Sequence, residues 1–143
     1  MRVSSVNQEL TYSLRREVLG WKNTVSEYDA LPDASHFAVT SPEGTVFAVG
    51  SSGSLNCPLF PDSKGYKFWA IAVEHDKQGL GLGRLIIDHV LNTAINSEKE
   101  ILWADSRQTA LDFYERVGFK LSDLDRPFSP NTNLRNYMIY REL

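Results

Sequence analysis

The chain has 143 residues, a formal net charge of −3 and one cysteine, with ordinary proportions of hydrophobic (42%) and charged (23%) residues. Its length predicts a single domain, 1–143, while the acidic balance argues against general nucleic-acid binding and the lone Cys57 excludes an internal disulfide and a multi-cysteine zinc site. The first residues lack the apolar segment of a secretory signal and the longest apolar run, Phe68 to Val73, is too short to span a bilayer, so we expect a soluble, cytoplasmic protein without a membrane partner.

The first half of the chain is predicted to contain one helix followed by a β-hairpin. Leu10, Leu14 and Val18 recur at helical spacing and predict an amphipathic helix over residues 8–20. After an acidic, proline-broken loop, the stretches "HFAVT" and "TVFAVG" flank "SPEG", in which Pro and Gly suit a tight turn between two strands. Residues 51–65 are rich in Ser, Gly and Pro, which predicts a long irregular connection.

The second half alternates strands and helices. Tyr66 to Val73 is nearly all apolar, which predicts a strand buried on both faces, and a helix of about residues 82–96 follows. The strand "ILWAD" and a helix from Arg107 to Val117 come next, so strand, helix and strand form a parallel crossover unit. "FKLS" and "NYMIYREL" predict two closing strands. The layout is a mixed sheet with helices on both faces, in the α/β or α+β range.

A cluster of alternating glycines, "QGLGLG", lies between the apolar strand and the helix that follows it. A dinucleotide-binding fingerprint requires glycine where Arg84 stands, and a P-loop requires Lys-Ser or Lys-Thr after the glycines, so neither pattern fits. What remains is a turn of exposed amide N–H groups beside the positive end of a helix, an arrangement that binds phosphate through the backbone alone. A tight strand-to-helix connection without any ligand explains the same glycines.

Two stretches taken together resemble the GNAT superfamily of N-acyltransferases. The glycine cluster fits that family's cofactor motif Q/R-x-x-G-x-G/A, and "RQTALDFYERVGF" fits its later motif N-x-x-A-x-x-[LF]-Y-x-x-x-G-F. The matching residues are Gln78, Gly81, Gly83, Ala110, Phe113, Tyr114, Gly118 and Phe119. One helix and one strand separate the motifs, as in the family, and the resemblance covers about residues 66–119. The chain departs from the pattern at Arg107, where many members have Asn.

The resemblance implies a fold and a ligand. The fold is a mixed, mostly antiparallel sheet of six to seven strands with a splayed central parallel pair and helices on both faces. The ligand is acetyl-CoA or another acyl-CoA, whose pantetheine arm would pair with main-chain groups of the first splayed strand and whose pyrophosphate would lie in the glycine turn, with no metal. The implied cofactor-binding residues are Ala72, Val73, Gln78, Gly79, Leu80, Gly81, Leu82, Gly83, Arg84, Arg107 and Phe113.

The implied reaction is direct attack of an amine on the thioester, through a tetrahedral intermediate. A main-chain N–H near Val73 would stabilise the oxyanion, and Tyr114 occupies the family's general-acid position, although it also fits as a packing member of an apolar helix face. The general base stays open, because no candidate stands out. The candidates are Glu27, His36, Glu74, His75 and Asp105.

The acceptor is predicted to be a small-molecule or peptide amine. By the resemblance it would contact the first helix, the acidic loop Glu27–Asp33 and the loops 51–65 and 123–133. The side chains of Trp21, Tyr28, Glu27, Asp29 and Asp33 predict an acidic, aromatic mouth that suits a cationic amine. His36 with the two aspartates has no known metal-ligand spacing.

Two other functions compete with the acyltransferase hypothesis. A non-catalytic domain of the same fold that binds or senses CoA would keep the glycine motif and lose turnover. A nucleotide-binding α/β module is disfavoured by the glycine spacing. A homodimer formed through an exposed strand edge and a monomer are equally consistent with the sequence.

Overall fold

The computed structural model describes residues 2–143, which form one seven-stranded sheet with helices on both faces. The elements in chain order are β1 (Val3–Ser5), α1 (Tyr12–Glu17), β2 (Ser35–Thr40), β3 (Val46–Ser54), β4 (Gly65–Val73), α2 (Leu82–Asn96), β5 (Ile101–Ser106), α3 (Leu111–Arg116), β6 (Lys120–Leu121) and β7 (Tyr137–Glu142). The strands lie in the order β1-β2-β3-β4-β5-β7-β6, antiparallel throughout except for the β4–β5 pair. The predicted fold class is therefore confirmed.

The two faces of the sheet bury different helices. Helices α2 and α3 cover one face and form the main core with β2 to β5. The residues that α2 buries are Leu82, Ile86, Ile87, Val90 and Ala94. On the other face Leu14 of α1 packs against Ala38, Val49 and Ala72. None of the helices within residues 2–143 is long and apolar enough to cross a membrane.

The parallel strands β4 and β5 pair only at their beginnings. Residues Gly65–Lys67 pair with Ile101–Trp103, and beyond them the two strands separate without further pairing. A wedge-shaped gap therefore opens in the middle of the sheet, at the carboxyl ends of both strands.

A β-bulge lies on β4 where the gap opens. Trp69 pairs with Ser51 and Ala72 with Val49, so Ala70 and Ile71 together oppose Gly50 alone. Ala70 has a positive φ of 56°, a conformation that non-glycine residues rarely adopt in a strand. Because a bulge bends its strand and increases the local twist, it turns the end of β4 away from β5.

Three predicted elements have different boundaries in the structure. The helix over 8–20 is shorter, a 3-10 turn at Gln8–Thr11 followed by α1, because the Leu10 side chain is 48% exposed and does not join the apolar face. The 51–65 connection is also shorter, since β3 continues to Ser54 in register with β4. The helix over 107–117 begins as a 3-10 turn and is α-helical only in α3.

Candidate active site

The glycine turn before α2 presents a row of main-chain N–H groups without partners. Gly79 and Gly81 have φ values of +82° and +81°, and no atom lies within 4 Å of where a Cβ would stand on either residue. The first hydrogen bond closing α2 runs from Leu85 N–H to the Gly81 carbonyl. None of the six N–H groups from Gly79 to Arg84 donates a hydrogen bond to another group within residues 2–143. Six free donors at the positive end of a 15-residue helix form a binding site for an anion.

Two side chains hold this turn against the sheet. Gln78 Nε2 donates to the main-chain oxygen of Val73 at 3.0 Å, so the glutamine ties the turn to the end of β4. A Cβ on Gly83 would lie 3.4 Å from the Phe113 ring, so α2 and α3 approach closely at this glycine. Gln78 and Phe113 therefore contact the glycine turn directly, in addition to lining the cleft beside it.

The turn forms one wall of a cleft, here called the glycine cleft, which runs between α1, the end of β4 and α3. Its lining carries several basic side chains and no acidic one among the described residues. These basic residues are His75, Lys77, Arg84, Arg107 and Arg116. The cleft therefore combines main-chain donors with positive charge, in a protein whose net charge is −3.

The main-chain groups of Val73 point toward the gap between β4 and β5. Glu74 N–H donates to the Phe47 carbonyl of the neighbouring strand segment at 2.8 Å, and successive residues of a strand turn their main-chain groups to opposite edges. Val73 therefore faces away from β3, while Ala72 faces β3. The expectation of a free main-chain edge at both residues is wrong for Ala72.

Tyr114 lies at the junction between the glycine cleft and the gap. Its ring packs against Phe68, Phe113 and Phe119, with centroid distances of 5.7, 5.1 and 5.7 Å. Burial raises the pKa of Tyr114, so its hydroxyl stays protonated at neutral pH. The hydroxyl has no hydrogen-bond partner within residues 2–143 and is free to donate a proton into the cleft. The hydroxyl lies where a general acid would act, while its raised pKa makes it a weaker proton donor than an exposed tyrosine, and the general-acid role stays a prediction.

Three adjoining cavities lead from the glycine cleft through the sheet. The gap between β4 and β5 forms a cavity, the splay cavity, which shares Tyr114 and Arg107 with the glycine cleft. On its other side the splay cavity shares Trp21, Trp69 and Asp105 with a third cavity, the aromatic pocket. A ligand held by the glycine turn and a second ligand in the aromatic pocket can therefore meet inside the gap.

The floor of the aromatic pocket holds a charge network of three residues. Lys67 Nζ lies 2.9 Å from Asp105 Oδ2, and Arg126 donates to the same carboxylate from Nε at 2.7 Å and from Nη2 at 3.1 Å. Burial acts to raise the pKa of Asp105, but the hydrogen bonds and charges of Arg126 and Lys67 outweigh it and hold that pKa below its ordinary value. Asp105 is therefore a weak base, which argues against it as the proton acceptor.

Two of the three carboxylates predicted for an acidic mouth are engaged elsewhere. Asp29 accepts from both Nη atoms of Arg15, at 2.7 and 2.9 Å, and from Trp69 Nε1 at 2.9 Å, and its side chain is 3% exposed. Asp33 accepts from the Ser54 main chain at 2.8 Å. Glu27 alone of the three lines the aromatic pocket. The predicted acidic mouth is wrong for both aspartates, because Asp29 compensates the buried Arg15 and Asp33 is bonded to Ser54 at the end of β3.

The remaining base candidates are spread over the molecule. His36 is buried and bonded through Nδ1 to Ser51 Oγ at 2.7 Å, outside the three cavities, and burial lowers its pKa. His75 lines the glycine cleft, away from the gap. Glu74 lines none of the three cavities. Of these candidates Glu27 alone lies on the acceptor side, exposed at the rim of the aromatic pocket and without an ion-pair partner among residues 2–143.

Sequence reasoning missed Lys67, Arg126 and the bulge at Ala70. Lys67 is a charge within an apolar run, a pattern that indicates a buried ion pair even though the partner is not predictable. Gly50 was the available signal for the bulge, because an isolated glycine in a strand marks a bulge or a close approach. A Cβ on Gly50 would lie 2.6 Å from Phe37 and 2.7 Å from Ile71.

Arg107 contacts the opposite wall of the path. Its Nη2 donates to the main-chain oxygen of Leu19, after the end of α1. Both residues line the splay cavity and the glycine cleft. Arg107 therefore connects the start of α3 to α1 across the cavity rather than lying on a solvated surface.

Comparison with known proteins identifies relatives of this architecture. The chain is 32% identical over 76 residues to the [ribosomal protein bS18]-alanine N-acetyltransferase of Escherichia coli K12, a match that covers 51% of each protein. The chain thus spans about half the length of the curated relative it matches. Two solved structures share the fold: an IAA acetyltransferase from Bacillus cereus (TM-score 0.75, 17% identity) and a Bacillus subtilis acetyltransferase in complex with CoA (TM-score 0.74, 17% identity). Each alignment covers 99% of this chain and 98% of the other.

A family model extends this likeness to the site. The model described as an acetyltransferase (GNAT) domain matches residues 59–131, more than half of the chain. The matched stretch contains the glycine turn, both splayed strands from Gly65 onward and Tyr114. The chain belongs to the GNAT acetyltransferase family.

Proposed function

We propose that the protein is an acetyl-CoA-dependent N-acetyltransferase that acts on an amine held in the aromatic pocket, and that its 143 residues work as one domain. Family membership supports acyl transfer as the reaction class. The observation that carries the proposal is the row of six free N–H groups from Gly79 to Arg84, next to a gap that leads to a second cavity. Any helix start leaves about four N–H groups unbonded, and the glycine turn extends this row by two, Gly79 and Leu80.

The donor would bind through the backbone. The pyrophosphate of CoA fits the free N–H row, with Lys77, Arg84 and Arg116 adding positive charge around it. The pantetheine arm would run along the Val73 edge toward Tyr114. The solved Bacillus subtilis neighbour is a complex with CoA, which is consistent with this ligand.

The chemistry would need three contributions from the chain. The Val73 N–H points into the gap and would donate to the thioester oxygen as negative charge develops there. As the new carbon–nitrogen bond forms and the carbon–sulfur bond breaks, Tyr114 would give its proton to the departing sulfur. The attacking ammonium would lose its proton through water to the exposed carboxylate of Glu27, because Asp105 is engaged by two cations.

One observation favours a second candidate, a domain that binds CoA without turnover. The carboxylate nearest the gap, Asp105, accepts three hydrogen bonds from cations and offers no proton acceptor. Isothermal titration with CoA, followed by thiol release from acetyl-CoA against a panel of amines, separates the two functions. Binding with release for at least one amine supports the enzyme, and binding with no release for any amine supports the sensor.

A further inference from the structure

We propose that the aromatic pocket selects an amine that also carries a carboxylate, and that Arg126 and Lys67 recognise this carboxylate. The inference rests on the proposed function, whose acceptor it specifies. It replaces the cationic amine that the acidic sequence between residues 27 and 33 suggests.

The carboxylates of the pocket region have little capacity left for a cationic ligand. Both oxygens of Asp105 accept from Lys67 and Arg126, and both oxygens of Asp29 accept from Arg15 and Trp69. A cationic ligand would meet carboxylates whose charge is already compensated by Lys67, Arg126 and Arg15.

Hydrogen-bond donors are in excess on the floor of the aromatic pocket. Arg126 uses Nε and Nη2 for Asp105, and its Nη1 has no hydrogen-bond partner within residues 2–143. Lys67 Nζ makes one hydrogen bond, to Asp105, and otherwise faces the Tyr28 ring at 3.5 Å and the Trp103 ring at 4.5 Å. Two cations thus surround one anion, and both line the aromatic pocket.

The other groups that line the aromatic pocket include one exposed carboxylate and several aromatic side chains. Glu27 is the remaining carboxylate, and it is exposed at the rim, where water and salt screen its charge. The walls are the aromatic side chains of Trp21, Tyr28, Trp69 and Phe128. A donor-rich floor within apolar walls matches an amine with a carboxylate and an apolar side chain, whose amino group would extend toward the adjoining splay cavity.

The test compares each of the twenty standard L-amino acids with its amide, which keeps the amine and removes the negative charge. Binding to the CoA complex is measured by titration calorimetry, and transfer is measured by thiol release from acetyl-CoA. We expect at least one amino acid to be preferred over its amide by about tenfold or more in both measurements, the value of a charge-assisted contact. Amides that bind as well as or better than their acids throughout, or no binding by any amino acid, would overturn the inference.

Three substitutions in the same loop assign the preference to Arg126. Arg126→Gln should reduce it to about twofold or less, whereas Arg135→Gln, which removes an exposed arginine outside the pocket, should leave it unchanged. Arg126→Lys keeps the positive charge and should retain part of the preference. A preference that is lost in Arg126→Gln and partly kept in Arg126→Lys is due to the charge and not to a collapsed loop. A preference that survives Arg126→Gln contradicts the assignment.

The two measurements also separate this inference from the proposed function. Preferential binding of an amino acid without thiol release from any amine would refute the enzyme and leave the carboxylate site intact. Efficient release with amines that lack a carboxylate would leave the enzyme intact and refute the site.

Discussion

The glycine cleft and the aromatic pocket lie at two ends of one path but are built from different parts of the chain. The cleft relies on main-chain donors from six consecutive residues, 79–84. The pocket relies on side chains from four distant segments, since Tyr28, Lys67, Asp105 and Arg126 meet only in the folded protein. The comparison teaches that a backbone site can be recognised from a local motif, whereas a side-chain site depends on tertiary contacts.

The largest expected effect lies at the junction of the two regions. Tyr114→Phe should lower kcat by about 10²- to 10⁴-fold, the usual contribution of a general acid, with CoA affinity unchanged because only the hydroxyl is removed. Tyr140→Phe is the matched control, because Tyr140 packs against Phe60 away from the path and its loss of a hydroxyl should leave kcat unchanged. A Tyr114→Phe protein with wild-type kcat would reduce this tyrosine to a packing role.

The next effect concerns the support of the aromatic pocket. Asp29→Asn leaves the buried Arg15 charge uncompensated, and we expect the free energy of unfolding to fall by about 3–5 kcal/mol. Asp33→Asn, at an exposed carboxylate bonded to Ser54, should cost about 1 kcal/mol. Urea unfolding of both variants measures the difference, and equal costs would show that the Arg15–Asp29 pair contributes little.

A smaller effect distinguishes strain from ligand binding in the glycine turn. Gly81→Ala and Gly44→Ala both place a side chain at positive φ, +81° and +89°, with open space around the Cβ, and each should cost about 1–2 kcal/mol of stability. Only Gly81→Ala should also weaken CoA binding, by about tenfold, because it perturbs the N–H row. Calorimetric titration of both variants tests this. Equal CoA affinity in the two would place the ligand elsewhere.

The smallest effect is a pH dependence of stability. Burial raises the pKa of Asp29, but hydrogen bonds from Arg15, Trp69 and Ser26 outweigh it, so the folded-state pKa lies below the ordinary value of about 4. A depressed carboxylate pKa stabilises the fold above the unfolded-state pKa, and this contribution is lost as pH falls through the folded value. Unfolding free energies measured below about pH 4 should therefore fall less steeply for Asp29→Asn than for wild type. Asp33 and Asp105, which also have lowered pKa values, would account for the remaining slope.

The sequence predicts some elements closely because their patterns are local. Helix α2 begins at Leu82 and ends at Asn96 as predicted, since its apolar face and the preceding glycines fix both the period and the start. The parallel pairing of β4 and β5 followed from the strand–helix–strand pattern, whereas their splay followed from the family resemblance. The start of the splay follows from the bulge at Ala70, where an alanine adopts a conformation that its residue type does not indicate and only Gly50 on the opposite strand hints at.

The charged residues of the site could not be predicted in the same way. The acidic loop suggested a cation-binding mouth, yet Asp29 is used by Arg15 of α1, 14 residues away, and by Trp69 of β4. Burying a charge requires a partner, and the identity of that partner depends on which distant segments the fold brings together. Lys67 and Arg126 were missed for the same reason.

The central claim is that the N–H groups of residues 79–84 bind the pyrophosphate of CoA, and NMR of the ¹⁵N-glycine-labelled protein tests it most directly. On addition of CoA, the amide signals of Gly79, Gly81 and Gly83 should shift and their hydrogen exchange should slow, because free donors acquire acceptors. The Gly44 and Gly53 signals should stay unchanged, since both lie outside the glycine cleft. Saturating CoA that leaves the three turn glycines unperturbed would contradict the account.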